Sequence, residues 1–281
     1  MRGALLILAL AAVTLVGWAQ TAEDLAGQAD AVFQELWATE YTPEAHDALQ
    51  ARLEEAISLY EQALALDEGN VHVLVMLARC YYTLADMFLA EDGDKKAAYI
   101  QGQEYGERAL RAEARPEYVE DWKGEGFLLA VGESTNLEAL YWTYANWARK
   151  DEYDKIGAIL RGDAPKLEAL IMRAAELDEM YLCAGPLRSL GAFWGGLPRL
   201  PFGTYRLNLE RADSYLAQAV EKCPEYLENL RFRIEFYLDH LGADGEAEAQ
   251  ELLQRILDAP LGDYPLYNSR TKLWAQARLE D

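Results

Sequence analysis

The sequence predicts an all-α protein built from helical hairpins, and three observations carry that expectation. Apolar residues recur at helical spacing, as in "RLEEAISLYEQ" (52–62), whose carboxylates fall on the solvent-facing side. One short frame of residues returns in three separate places along the chain. The apolar stripes are separated by glycine-marked turns, among them "AEDGDKK" (90–96) and "LGADGEAE" (241–248).

At the N-terminus, Met1 and Arg2 form a short positive region and Ala4 to Val16 an uncharged apolar run. Gly17 and Ala19 then stand three and one positions before a cut after Ala19. This pattern predicts an exported chain with a signal peptide over 1–19, too short for a comfortable membrane span. Retention of the segment as an uncleaved anchor is the alternative. Residues 20–281 are expected to form one helical domain, since no low-complexity linker divides them.

The repeated frame comes from "EQALALDEGN" (61–70), "MRAAELDEMY" (172–181) and "AQAVEKCPEY" (217–226), aligned on Ala63, Ala174 and Ala219. It is the tail of a tetratricopeptide repeat: a small residue, a large apolar one four on, Ala three on and Pro five on. Ala56-Tyr60-Ala63, Ala212-Leu216-Ala219-Pro224 and Ala249-Leu253-Ile256 fill it well. Leu74, Leu77, Ala78 and Tyr81 occupy the opening half of the next repeat, and Leu230, Arg233, Ile234 and Tyr237 occupy it more loosely. Small residues at the Ala positions let paired helices approach closely, while large ones fill the layer between repeats. The expected architecture is an irregular tetratricopeptide-repeat-like α-solenoid of helical hairpins around a central cavity. Helices are predicted over 22–38, 44–66, 70–89, 95–112, 117–129, 134–149, 153–161, 164–178, 181–194, 205–222, 226–240, 244–258 and 264–279. Inserts over 114–136 and 185–204 break its regularity.

Lys and Arg number 26 against 48 Asp and Glu, a formal charge of −22. Such an excess repels phosphate backbones and anionic lipid, which argues against nucleic-acid binding and electrostatic membrane docking. His46, His72 and His240 are far apart in sequence and from any Cys pair, so no metal-ligand spacing is present and no cofactor is expected. No nucleophile elbow, phosphate loop, zinc-protease or dinucleotide motif occurs, and the chain reads as a non-enzyme. Of the three cysteines, Cys183 and Cys223 fall at one end of the same predicted helix pair. Export makes a disulfide between them one expectation, and two inert thiols the other.

From "LYWTYANWARK" (140–150) to "RFRIEFYL" (231–238) the order of features is distinctive. A Leu-Tyr-Trp helix at 140–142 is followed by a helix end at Leu177, Asp178 and Tyr181, then by "GPLRSLGAFW" (185–194). A turn at Leu197, Pro198 and Pro201 and a helix end at Ala219 and Pro224 complete it. The chain thereby resembles the T-component family of periplasmic tetratricopeptide-repeat proteins associated with TRAP transporters, most strongly over 137–240. The resemblance implies a helical cup or channel that pairs with a TRAP-type solute-binding protein and handles a small, apolar organic ligand. It also implies a homo-oligomer, a trimer. Two departures stand out. No lipobox cysteine is present, and Phe202-Gly203-Thr204 replaces the family's Gly-Gly-Asp.

The candidate ligand-binding residues flank the 185–204 insert. Tyr141, Tyr144 and Trp147, three apart, suggest one aromatic face, with Trp142 beside it; Trp194 and Phe202 within the insert and Tyr205 just past it add aromatic area. Core packing is the plainer account of any single ring, and their concentration gives them functional weight. Arg188 and Arg206 lie in the same region of an acidic protein, where a ligand carboxylate would fit the guanidinium. An internal Asp or Glu partner is the plainer account of either. The expected function is that of a periplasmic accessory of solute import, holding a small hydrophobic or amphipathic acid. The alternative is a protein-interaction scaffold of the cell envelope without a small ligand.

Overall fold

The computed structural model describes residues 20–197 and 205–280. The predicted signal peptide, Phe202 and the Phe202-Gly203-Thr204 segment lie outside them. The described residues are helical, with no strand among them. The order is α1 (Ala22–Trp37), α2 (His46–Leu66), α3 (Val71–Thr83), α4 (Asp92–Glu113), α5 (Pro116–Glu120), α6 (Gly126–Glu133) and α7 (Leu137–Glu152). There follow α8 (Lys155–Arg161), α9 (Asp163–Leu177), α10 (Tyr181–Gly196), α11 (Tyr205–Lys222), α12 (Glu228–Arg233), α13 (Asp239–Leu241), α14 (Ala243–Asp258) and α15 (Pro265–Glu280).

Local chemistry sets many of these boundaries. Thr21 and Asp24 form a reciprocal capping box at the start of α1, and Asn70, Asn136 and Asp154 cap α3, α7 and α8 through their side chains. Two helices loosen into wider π turns, Leu84–Phe88 after α3 and Ile234–Leu238 between α12 and α13. The predicted helix over 117–129 is two helices. Between them Asp121 turns the chain, its carboxylate accepting from Glu125 N and its carbonyl from Gly126 N.

Neighbouring helices pair as hairpins, α1 with α2, α3 with α4, α10 with α11 and α14 with α15. The recurring frame lies at their contacts. Ala56, Tyr60, Ala63, Ala174, Ala212, Leu216 and Ala219 are all 0% exposed. An alanine there brings two backbones together, and the large residue four away fills the space beside it.

The first part of the glycine-rich 185–204 insert is a helix, as predicted over 181–194. Residues 185–196 are helical and belong to α10, and the irregularity sits just before them. Leu182, Cys183 and Ala184 all have positive φ, at 46°, 57° and 61°. Pro186 is tolerated because the residue four before it, Leu182, is not helical, so no helical hydrogen bond to that turn is lost. Gly195 then lets α10 press against the π turn of the α12 segment, since a Cβ there would lie 2.1 Å from the Phe236 carbonyl oxygen.

Candidate functional site

The hairpins converge on a cavity of about 60 Å³. Helix α7 supplies one wall through Tyr141, Trp142, Tyr144 and Arg149; α10 adds Arg188 and Ser189. Glu228 and Phe232 of α12, with Tyr226 just before it, face them, and Trp37, Tyr82 and Tyr267 close the sides. A water needs about 10–15 Å³ of such space, so the cavity suits a small molecule of several heavy atoms, and its walls are amphipathic.

Arg188 is the unusual group in this wall. It is only 5% exposed. Its Nη1 donates to Asn229 Oδ1 at 2.7 Å and to the Cys183 carbonyl at 3.4 Å, and its Nη2 donates to Tyr141 Oη at 3.3 Å. Its guanidinium lies 4.7 Å from the ring centre of Tyr226 and 5.7 Å from that of Phe232. Among the described residues no carboxylate comes within ion-pair distance of it. Glu228 is committed elsewhere, accepting from Thr271 at 2.6 Å and pairing with Arg231 at 3.3 Å. Burial works against the arginine's charge, but Tyr141, Tyr226 and Glu228 outweigh it and raise its pKa above the ordinary value. The result is a permanent buried cation with neutral hydrogen-bond partners, a natural seat for a small anion.

Arg149, across the same cavity, is already neutralised. It pairs with Asp86 at 3.4 Å and Glu152 at 3.1 Å. Both arginines flank the Phe232 ring, Arg149 at 5.9 Å from its centre.

The turn before α10 positions Arg188. Three successive left-handed residues cost roughly 1–2 kcal/mol each without compensation. The compensation is visible: the Cys183 carbonyl accepts from Asn229 Nδ2 at 3.2 Å as well as from Arg188. Asn229 is 0% exposed and also donates to the carbonyls of Ala219 and Cys223. Gly185 brings the turn against α7, since a Cβ there would lie 3.0 Å from Tyr141 Oη. Cys183 and Cys223 face each other in a disulfide with their Cα atoms 5.5 Å apart. Glu225 stands beside them and makes the one metal-like cluster among the described residues, but bonded sulfurs carry no thiolate for a metal.

The sequence candidates divide accordingly. Tyr141, Trp142, Tyr144 and Arg188 meet at the cavity. Tyr144 Oη donates to the Ser189 carbonyl at 2.9 Å, and Trp142 Nε1 to Tyr181 Oη at 3.1 Å. Trp147 is turned away and packs edge-on against Phe127. Each three-residue step rotates a side chain about 60° short of a full turn, so two steps from Tyr141 leave the shared face. Trp194 packs on Phe193 beneath Arg211, and Tyr205 lies against His240. Arg206 is not a buried cation: its side chain is 92% exposed and bonds to Glu210 on the next turn. Sequence reasoning did not find Asn229, Phe232 or Tyr267. Their only local signal is an ordinary place on a helix, since contacts with distant helices give them their roles.

A family model described as the TRAP transporter T-component matches residues 47–269. No curated protein matches the chain.

Proposed function

The chain belongs to the TRAP transporter T-component family, accessory components of an envelope transport system, and from that premise we propose a specific role for its cavity. The protein is a non-enzymatic periplasmic accessory that engages a TRAP-type solute-binding protein. It holds a short amphipathic organic acid, with the carboxylate on Arg188 and the carbon chain against Tyr226 and Phe232. In this reading the hairpins stack as a tetratricopeptide-repeat-like solenoid, the chain is exported by cleavage after Ala19, and copies associate as the family resemblance implies.

The observation that supports the ligand is the buried Arg188 guanidinium on the cavity wall, with no carboxylate partner among the described residues. A carboxylate is its natural complement, because the planar cation presents paired N–H donors to two oxygens. A second reading, an interaction scaffold without a ligand, draws on the tight packing of the remaining rings around a small cavity.

Calorimetric titration with butyrate separates the two. The transport reading expects saturable binding by the wild type that includes a site lost in Arg188→Gln and weakened in Arg188→Lys. Native mass spectrometry of freshly purified protein adds an independent check through a co-purified small acid. No butyrate binding and no retained molecule would leave the scaffold reading standing.

A further inference from the structure

We propose that Arg79, on α3, forms a second carboxylate-binding station that shares two walls with the cavity. Its guanidinium carbon lies 4.3 Å from the ring centre of Trp37, 4.8 Å from that of Phe33 and 5.4 Å from that of Trp142. Trp37 and Trp142 also line the cavity that holds Arg188. The two cations are linked through touching side chains. Trp142 packs edge-on against Tyr141 at 5.1 Å, and Tyr141 Oη accepts from Arg188.

Ring contacts account for the faces of the Arg79 guanidinium and leave its edges unused. Stacking engages the π surface of the cation, whereas its five N–H donors point outward in the plane. Among the described residues none of those donors has an acceptor, and Nε is fully buried without one. A buried charged donor without a partner carries a desolvation cost that an acceptor relieves. The nearby acids are engaged elsewhere. Asp30 accepts from Tyr60 Oη at 2.5 Å and bonds to His72 at 2.9 Å, and Glu138 accepts from Tyr181 Oη at 3.4 Å. A half-buried guanidinium between two indoles fits the same ligand class as Arg188: a carboxylate takes the donor edge while its carbon chain lies on the tryptophans. The inference takes only its ligand class from the proposed function. The vacant donors of Arg79 support it independently.

The test is the stoichiometry of butyrate binding by calorimetry on the full-length mature chain. The wild type is expected to bind two butyrates, and Arg79→Gln and Arg188→Gln one each. Arg79→Lys keeps the charge but loses the planar donor pair, and is expected to retain a second site at least tenfold weaker. Thermal melts establish that each variant is folded. If a single wild-type site is lost in Arg188→Gln and kept in Arg79→Gln, the Arg79 station is overturned and the proposed function stands. If a single site shows the reverse pattern, Arg79 is the station and the role given to Arg188 falls. Absence of binding to the wild type overturns both.

Discussion

Arg188 Nη1 donates to Asn229 Oδ1 at 2.7 Å, and neither side chain is open to solvent. The same asparagine uses its Nδ2 to hold the carbonyls of Cys183, Ala219 and Cys223, so one amide ties α10, α11 and α12 together. Asn229→Leu keeps the volume but strips all four partners. It is expected to cost roughly 3 kcal/mol or more, because several buried polar groups lose their bonds at once. Urea denaturation measures this, and a loss below about 1 kcal/mol would show that the network is dispensable.

Under the proposed function, ligand affinity should separate the residues that reach the cavity from those that do not. Tyr141→Phe removes an acceptor of Arg188 and is expected to weaken butyrate binding by about 1 kcal/mol, roughly fivefold. Arg206→Ala is expected to bind like the wild type, since that side chain is solvated and bonds only to Glu210. Equal losses in both variants would place the ligand elsewhere.

Close backbone approach at the end of α10 makes two adjacent glycines behave differently. A Cβ on Gly195 would lie 2.1 Å from the Phe236 carbonyl oxygen, while one on Gly196 meets its nearest atom at 3.8 Å. Gly195→Ala must push the helix off its neighbour and is expected to lose about 1–3 kcal/mol. Gly196→Ala is expected to be neutral or slightly stabilising. Comparable melting temperatures for the two variants would contradict the contact.

The disulfide closes a loop between residues 40 apart in sequence and fastens the left-handed turn at Cys183. Loop entropy assigns such a bond about 4 kcal/mol at most, and replacing both cysteines with serine is expected to lose about 2–4 kcal/mol. Under denaturing conditions, thiol titration should find Cys80 alone without reductant and all three cysteines with it. The same count in both conditions rules out the bond.

Glu235 gives a pH test with a defined sign. Burial raises its pKa above the ordinary carboxyl value, against the opposing pull of Arg231 and with the like charge of Glu228. The folded protein therefore holds this proton where the unfolded chain has released it. Stability is lost as pH rises from the ordinary value through the folded one. Glu235→Gln has no such loss, so its stability relative to the wild type should grow with pH through the acid range and then level off. Denaturation midpoints from about pH 4 to about pH 7 measure the difference. A relative stability that falls with rising pH would mean that the Arg231 contact dominates.

The helices, the buried alanines that space them and the family resemblance are legible along the chain. These are local properties: a 3.6-residue period, a cap or a small residue in a fixed frame can be read along the chain. Ala63, Ala174 and Ala219 could be marked as contact points from their frame alone, and they are fully buried. The backbone path into the 185–204 insert could not be read this way, because Pro186 inside a helix depends on an unusual turn at Leu182–Ala184. The electrostatic character of the site also belongs to the tertiary structure. Arg188 and Arg206 look alike in sequence, yet one is sealed beside Asn229, 41 residues away, and the other is in solvent. Whether a charge is paired depends on which groups lie within a few ångströms, and only the packing of α7, α10 and α12 brings those groups together.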